Sequence, residues 1–173
     1  MNVKAKRWKI VILRALLTLL CILMFAWIFS NSLKSGESSS KQSQTVVDSI
    51  QDVASVIAPD SSIANATGKD YEKLHMDIRT LAHFSEFALL GALLIWCYLS
   101  YTRAKLFLVI PFGIATLTPF VDEFLQTFSS GRAAEITDVV VDMLGLGFGM
   151  FLAFASLGVG VWLYRRKKKR SGI

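Results

Sequence analysis

Polar and ionisable side chains recur at helical spacing in separate stretches of this sequence. Arg79 and His83 lie four residues apart and Glu86 follows three residues later, so these side chains share one helix face. Asp122 and Gln126 share a face at the same four-residue spacing. Together the stretches predict one polar pocket. Its candidate residues are Arg79, His83, Glu86, Asp122, Glu123, Gln126, Arg132, Asp138 and Asp142.

The last of these stretches combines a polar stripe with glycines. Glu135, Asp138 and Asp142 fall on one helix face, and Gly145 and Gly149 continue that face. Small residues at four-residue spacing are typical of close helix packing in membranes. A phosphate-binding loop is not indicated, because these glycines lie in an apolar run with no preceding strand. The polar stripe is therefore predicted to point into a helical bundle.

Three functions fit these residues. In the first, the pocket binds a ligand, and Arg132 with Arg79 pairs with a phosphate or carboxylate through bidentate hydrogen bonds. In the second, an intramembrane enzyme uses His83 as its acid–base group, with Glu86 or Asp122 as the orienting partner and carboxylates available for a divalent cation. In the third, the charges form a buried network that only fixes helix register.

The sequence supports the enzyme less than the binding role. Neither a serine-nucleophile motif nor HExxH is present, and His75 is predicted to lie on the surface of the helix that leads to His83. Cys21 and Cys97 sit in apolar blocks without metal-ligand spacing, which predicts free thiols. We therefore predict no cofactor and no resident metal.

Composition indicates that the pocket belongs to a membrane protein. Hydrophobic residues make up 53% of the 173 residues, the mean hydropathy is +0.49, and the apolar residues come in long blocks. We expect an all-α polytopic membrane protein with one domain over residues 1–173. The predicted transmembrane helices are 10–29, 83–101, 106–121 and 139–163, with an extracytoplasmic loop at 30–82 and an outer connection at 122–138.

Two of the apolar blocks leave an alternative open. The first is either an uncleaved anchor or a signal peptide, and the anchor is preferred because Arg14 lies within it. The third contains Pro111, and Thr118-Pro119 has the form of a helix start. This pattern predicts a break near Leu117 and a new short helix over residues 119–128.

The long loop is predicted to contain a linker and two helices. Residues 30–45 are serine-rich and read as a flexible linker. Residues 69–82 are predicted to be helical and to continue into the second block. Between them, apolar spacing predicts a short amphipathic helix that Pro59 stops, either on the outer membrane surface or packed on the bundle. Its apolar stripe is Val46, Ile50, Val53 and Ile57.

The charge distribution predicts the orientation. Residues 4–14, the turn with Arg103 and Lys105, and the tail 165–170 are basic and contain no acidic residue. The positive-inside rule places these segments, and hence both termini, in the cytoplasm. The basic tail is then a topology anchor that attracts anionic lipid rather than a nucleic-acid patch. The pocket is expected to face outside.

The polar motifs resemble those of the VanZ-like membrane proteins. The resemblance covers roughly residues 10–163 and rests on residues 79–87 and 122–149 together. Thr80, Phe87 and Leu125 depart from the pattern, where Lys, Tyr and His respectively are frequent, which weakens an acid–base or metal role. The resemblance implies an accessory cell-envelope role linked to resistance to teicoplanin-type glycopeptides. It implies the lipid bilayer and an envelope lipid or glycopeptide as partners, without nucleic acid, and leaves the oligomeric state open.

Overall fold

The protein is a chain of long α-helices. The computed structural model describes residues 3–102 and 108–170, with side chains described from Arg7 onward. The helices are α1 (Val3–Ser32), α2 (Gly36–Ile57), α3 (Lys69–Tyr101), α4 (Val109–Gln126) and α5 (Ile136–Arg170). No strand occurs in these ranges, so the all-α prediction is confirmed. The basic turn with Arg103 and Lys105 and the start of the predicted third span, 106–107, lie outside the described residues.

Three of the helices are long and apolar enough to cross a membrane. They are Arg7–Ser32 of α1, α3 and α5. In α4 the polar last turn, with Asp122 and Glu123, lowers the mean hydropathy, and this helix is not among them. Its 18 residues nevertheless correspond to about 27 Å, close to the hydrocarbon thickness of a bilayer. The fourth span therefore stays a prediction.

The prediction of a flexible linker over residues 30–45 is wrong. α1 continues to Ser32, and α2 begins at Gly36 after Ser35, whose hydroxyl accepts a hydrogen bond from the Ser38 N–H at 3.2 Å. This is an N-cap, and the acidic Glu37 in the first turn complements the helix dipole. The hydroxyls of Ser43, Thr45 and Ser49 each donate to the carbonyl four residues earlier, so these side chains are satisfied within the helix.

Three of the four residues in the apolar stripe of α2 are exposed, and Ile50 is half-buried. Val46, Val53 and Ile57 are 48%, 58% and 77% exposed, whereas Val47, next to the stripe, is fully buried. α2 packs on α3, where the Tyr71 hydroxyl donates to Asp48 at 2.8 Å. The helix therefore contacts the bundle, and contact of its exposed stripe with the outer membrane surface stays a prediction. The helix ends at Ile57, two residues before Pro59, as predicted.

The most extensive helix pair is formed by α3 and α5. A Cβ on Gly149 would overlap the Ala88 carbonyl, and one on Gly145 would overlap the Phe84 carbonyl. The backbones of the two helices can approach this closely because these positions lack side chains. Phe87 and other apolar residues of α3 are buried on the same packed side. As predicted, residues 69–82 and the second block form one continuous helix.

α4 is one helix rather than two, so the predicted break near Leu117 is wrong. Pro119 lies inside the helix and is buried. Thr118 does not cap a new helix, because its hydroxyl donates back to the Ile114 carbonyl at 2.7 Å. Membrane helices tolerate such prolines when neighbouring elements cover them. Consequently, Asp122 belongs to the last two turns of the same helix as Val109.

Candidate functional site

A cavity of about 450 Å³ lies where the end of α1, α2 and the first half of α3 meet. Its lining includes Arg79, His83 and Glu86 of α3, Asp122 of α4, and Arg132 of the connection between α4 and α5. Separate pieces of chain therefore do bring five of the predicted residues to one cavity.

The remaining predicted residues lie behind this lining. Gln126 donates from Nε2 to Asp122 Oδ2 at 2.9 Å, and the Glu123 carboxylate accepts a hydrogen bond from the Glu135 N–H. Asp138 and Asp142 do not line the cavity, but each lies beside a residue that does. Asp138 Oδ2 lies 3.8 Å from Arg79 Nη2, and Asp142 Oδ1 lies 3.4 Å from His83 Nδ1.

Asp122 is held from both sides at the base of the cavity. The Ser32 hydroxyl donates to Oδ1, and Gln126 donates to Oδ2. The Ser129 hydroxyl in turn donates to the Ser32 carbonyl at 2.8 Å. All four side chains are buried, so these bonds fasten the end of α1 to α4 and to the connection that follows it.

Glu86 joins α1 to α3 rather than orienting His83. Its Oε1 accepts hydrogen bonds from Trp27 Nε1 at 2.8 Å and from Asn31 Nδ2 at 3.2 Å. Among the described residues, the carboxylate within ion-pair distance of His83 is that of Asp142. The expected orienting partners, Glu86 and Asp122, do not have that role in this structure.

Asp142 is fully buried and unusually placed for a carboxylate. Neither of its oxygens has a hydrogen-bond partner among the described residues, and neither does Nδ1 of His83, because the 3.4 Å approach lacks hydrogen-bond geometry. One ring nitrogen of His83 and one oxygen each of Asp122 and Asp142 lie within 4.8 Å of one another. This is a donor set that a metal ion can use.

Arg132 presents an unpaired guanidinium to the cavity. No carboxylate of the described residues lies within 4.0 Å of it, and its buried Nε has no hydrogen-bond partner there. Burial, together with the nearby Arg79 charge, lowers the pKa of Arg132 from its ordinary value, while Asp122 opposes that change. An anion bound at the guanidinium would offset both the burial and the repulsion from Arg79.

A tight turn places Arg132. Gly131 has a φ of 74°, which favours glycine, and it packs directly against Gly36. The Gly36 N–H also donates to the Ser130 carbonyl at 3.0 Å. The start of α2 is therefore fixed to the residues that precede Arg132.

Sequence reasoning missed the walls contributed by α1 and α2. Trp27 and Asn31 line the cavity from the end of α1. From α2 come Ser39, Gln42, Ser43 and Val46. Their spacing is that of one helix face, which is a signal for a helix, whereas the high serine content of residues 30–45 favours a linker.

The fold and the site define a membrane protein: three helices are long and apolar enough to cross a bilayer, and the lining of the cavity includes several charged side chains. The chain belongs to the VanZ family. The family model described as VanZ/LLP1 matches residues 17–163, which include every residue named for the cavity. Comparisons with curated proteins and with solved structures gave no match.

Proposed function

We propose that this protein is a multi-pass protein of the cell membrane with four spans and both termini in the cytoplasm. The three basic segments support this orientation, since lysine and arginine near helix ends favour the cytoplasmic side. α4 would be the fourth span, and its polar last turn would lie at the outer boundary. The cavity would then open toward the cell envelope.

Within that arrangement, the cavity binds an anionic group of the envelope, in first place a lipid headgroup. The observation that carries this proposal is the half-buried guanidinium of Arg132 on the cavity wall, whose buried Nε has no hydrogen-bond partner among the described residues. Arginine binds phosphate or carboxylate through two parallel hydrogen bonds, which suits a single anionic ligand. Arg79 lies on the same cavity and adds positive charge, although Asp138 partly neutralises it.

The cellular role that we propose is accessory protection of the envelope against teicoplanin-type glycopeptides. Membership of the VanZ family supports the context, and the cavity supports a binding mechanism. A pocket facing outside would meet envelope lipids and lipid-anchored drugs at the same membrane surface. The anion would be a phosphate in the first case and a carboxylate in the second.

Binding to a defined lipid tests the proposal. The purified full-length protein in neutral detergent is titrated with dihexanoyl phosphatidylglycerol by calorimetry. Arg132→Ala should weaken binding about tenfold or more, because a hydrogen bond to a charged group contributes about 1.5–3 kcal/mol. The control is Lys41→Ala, which removes an exposed cation of α2 that does not line the cavity. Equal affinity of Arg132→Ala and the wild type would reject the headgroup site.

A susceptibility test addresses the cellular role. Expression of the wild type should raise the inhibitory concentration of teicoplanin, and Arg132→Ala or Asp138→Asn should abolish the protection at unchanged membrane levels. Protection by both variants at the wild-type level would contradict the pocket mechanism. A purely structural charge network predicts instead that both variants disappear from the membrane.

The intramembrane enzyme is the second candidate function. It is favoured by one observation, the placement of His83 on the cavity with Asp142 directly behind it. A histidine backed by a carboxylate is suited to proton transfer. Turnover of a lipid-linked envelope precursor by the purified protein, abolished in His83→Gln, would establish this function, and the absence of turnover would leave the binding role.

A further inference from the structure

We propose that His83, Asp122 and Asp142 form a binding site for a divalent transition-metal ion of the zinc class at the base of the cavity. The site goes beyond the proposed headgroup binding and rests on its own geometry. It also departs from the sequence analysis, which predicted no metal.

The three side chains converge from three helices. His83 comes from α3, Asp122 from α4 and Asp142 from α5, and their donor atoms lie within 4.8 Å of one another. One pair, His83 Nδ1 and Asp142 Oδ1, is 3.4 Å apart. Two ligands of a tetrahedral zinc ion, each bonded at about 2.0–2.1 Å, are separated by about 3.3 Å. This pair is thus already spaced as two ligands of one ion would be.

The burial of Asp142 is the second observation that points to a cation. This carboxylate is 0% exposed, and both of its oxygens lack a hydrogen-bond partner among the described residues. Burying a carboxylate without a partner is costly unless a charge or a metal compensates it. Asp122, also buried, lies in the same cluster. One divalent ion would neutralise both carboxylates.

The arginines nearby do not compensate these carboxylates by direct contact. Arg79 pairs with Asp138, and within the described ranges Arg132 has no carboxylate within 4.0 Å. Within the described ranges, neither Asp122 nor Asp142 therefore has an arginine or lysine within 4.0 Å, and His83 is the only basic side chain that close to Asp142. A neutral imidazole from His83 would complete the donor set.

Asp122 is oriented by hydrogen bonds from neighbouring side chains, as the ligands of metal sites commonly are. Ser32 and Gln126 each donate a hydrogen bond to one of its oxygens. Partners that fix a ligand carboxylate in this way strengthen metal binding by restricting its rotation.

The donor types select the class of ion. Calcium and magnesium favour oxygen ligands alone, whereas an imidazole nitrogen with two carboxylates suits zinc and its first-row neighbours. His83 and Asp122 line the cavity, while Asp142 lies behind them. An ion bound by three protein ligands would keep a coordination position open toward the cavity, where water or an anionic oxygen can bind.

Metal binding by the purified full-length protein tests the site. The protein carries an affinity tag without histidine, is treated with chelator in detergent, and is titrated with zinc chloride by calorimetry, with bound zinc counted by mass spectrometry. We expect about one ion per chain. Asp142→Asn and His83→Ala should each weaken binding at least about 100-fold. His75→Ala is the matched control, because it removes the other histidine of the chain, which is not part of the cluster.

Cobalt substitution keeps the proposal testable if a variant fails to fold. The wild type loaded with Co²⁺ should show the visible absorption of a low-symmetry nitrogen and oxygen site. The site is refuted if the wild type binds no zinc above the detergent blank, if it shows no such cobalt spectrum, or if His83→Ala and Asp142→Asn bind zinc as the wild type does. No lipid is present in these experiments, so their outcome is independent of the phosphatidylglycerol titration.

Discussion

At the scale of single residues, the buried polar groups around the cavity depend on one another. Asp122 can lie buried because Ser32 and Gln126 both donate to it. Glu86 is half-buried, and its Oε1 accepts hydrogen bonds from Trp27 and Asn31. Where a buried group has lost its donor, the full cost of desolvation remains. The cavity should therefore be sensitive to small changes in its supporting side chains.

Ser32→Ala tests this dependence. The variant removes the hydroxyl that donates to Asp122, and we expect a loss of about 1–3 kcal/mol in the free energy of unfolding, because a buried acceptor loses a donor. Thermal unfolding in detergent, followed by tryptophan fluorescence, measures the change.

Ser30→Ala is the matched control for this variant. Ser30 is exposed near the same end of α1, and its hydroxyl donates only to the Trp27 carbonyl of its own helix, at 2.9 Å. We expect a change within about 0.5 kcal/mol for it. Equal unfolding temperatures for Ser32→Ala and the wild type would show that Ser32 does not support Asp122.

At the scale of the helices, the glycines of α5 determine how closely it packs on α3. Gly145 and Gly149 meet backbone carbonyls of α3, whereas Gly147 has no neighbour at the position where its Cβ would lie. The same contact brings Asp142 against His83 one turn away. Loosening this helix pair should therefore affect both stability and the site.

Gly149→Ala is expected to destabilise the protein by about 1–3 kcal/mol, because the added methyl group overlaps the Ala88 carbonyl and forces the helices apart. Gly147→Ala should be neutral or stabilising by up to about 1 kcal/mol, since alanine is the better helix former. Unfolding of both variants in detergent checks the difference. A gain of the same size at both positions would mean that helix propensity, and not close packing against α3, determines the effect at Gly149.

The elements were predicted from the sequence to very different degrees. α3 and α5 were recognisable because long apolar runs dominate their composition. α2 was missed over its first half, since its serines satisfy their hydroxyls within the helix, and composition does not reveal that. The continuity of α4 through Pro119 depends on tertiary cover, which a local pattern does not contain.

The candidate site was predictable only in part for a similar reason. Helical spacing identified which side chains share a face, and those faces do meet at the cavity. Spacing within one helix does not determine partners between helices, so the pairing of His83 with Asp142 was not foreseen. Ser32 lies in the stretch that is predicted to be a linker, so the sequence does not indicate it as part of the site. Contacts between residues that are far apart in the sequence depend on how the whole bundle packs, which spacing within one helix does not determine.

At the scale of the whole molecule, the cavity has a function in the envelope only if it opens outside the cell. Ser130 can report on which side the cavity lies, because it lies in the connection between α4 and α5, beside the buried Ser129 and close to Gly36. If α4 is a span and the N-terminus is cytoplasmic, the chain has crossed the membrane three times before this connection, which then lies outside. If α4 does not cross, the chain has crossed twice and the connection lies in the cytoplasm.

Labelling of single cysteines tells these arrangements apart. In a background with Cys21→Ala and Cys97→Ala, Ser130→Cys should react with a membrane-impermeant maleimide in intact cells, because Ser130 is exposed and predicted to lie outside. Ser171→Cys, in the basic tail, should react only after the membrane is opened. Retained protection against teicoplanin by each variant would show that the labelled protein is the functional one. Reaction of Ser130→Cys only in opened cells would place the cavity in the cytoplasm. The headgroup could then still be bound there, but an action on drugs outside the cell would be refuted.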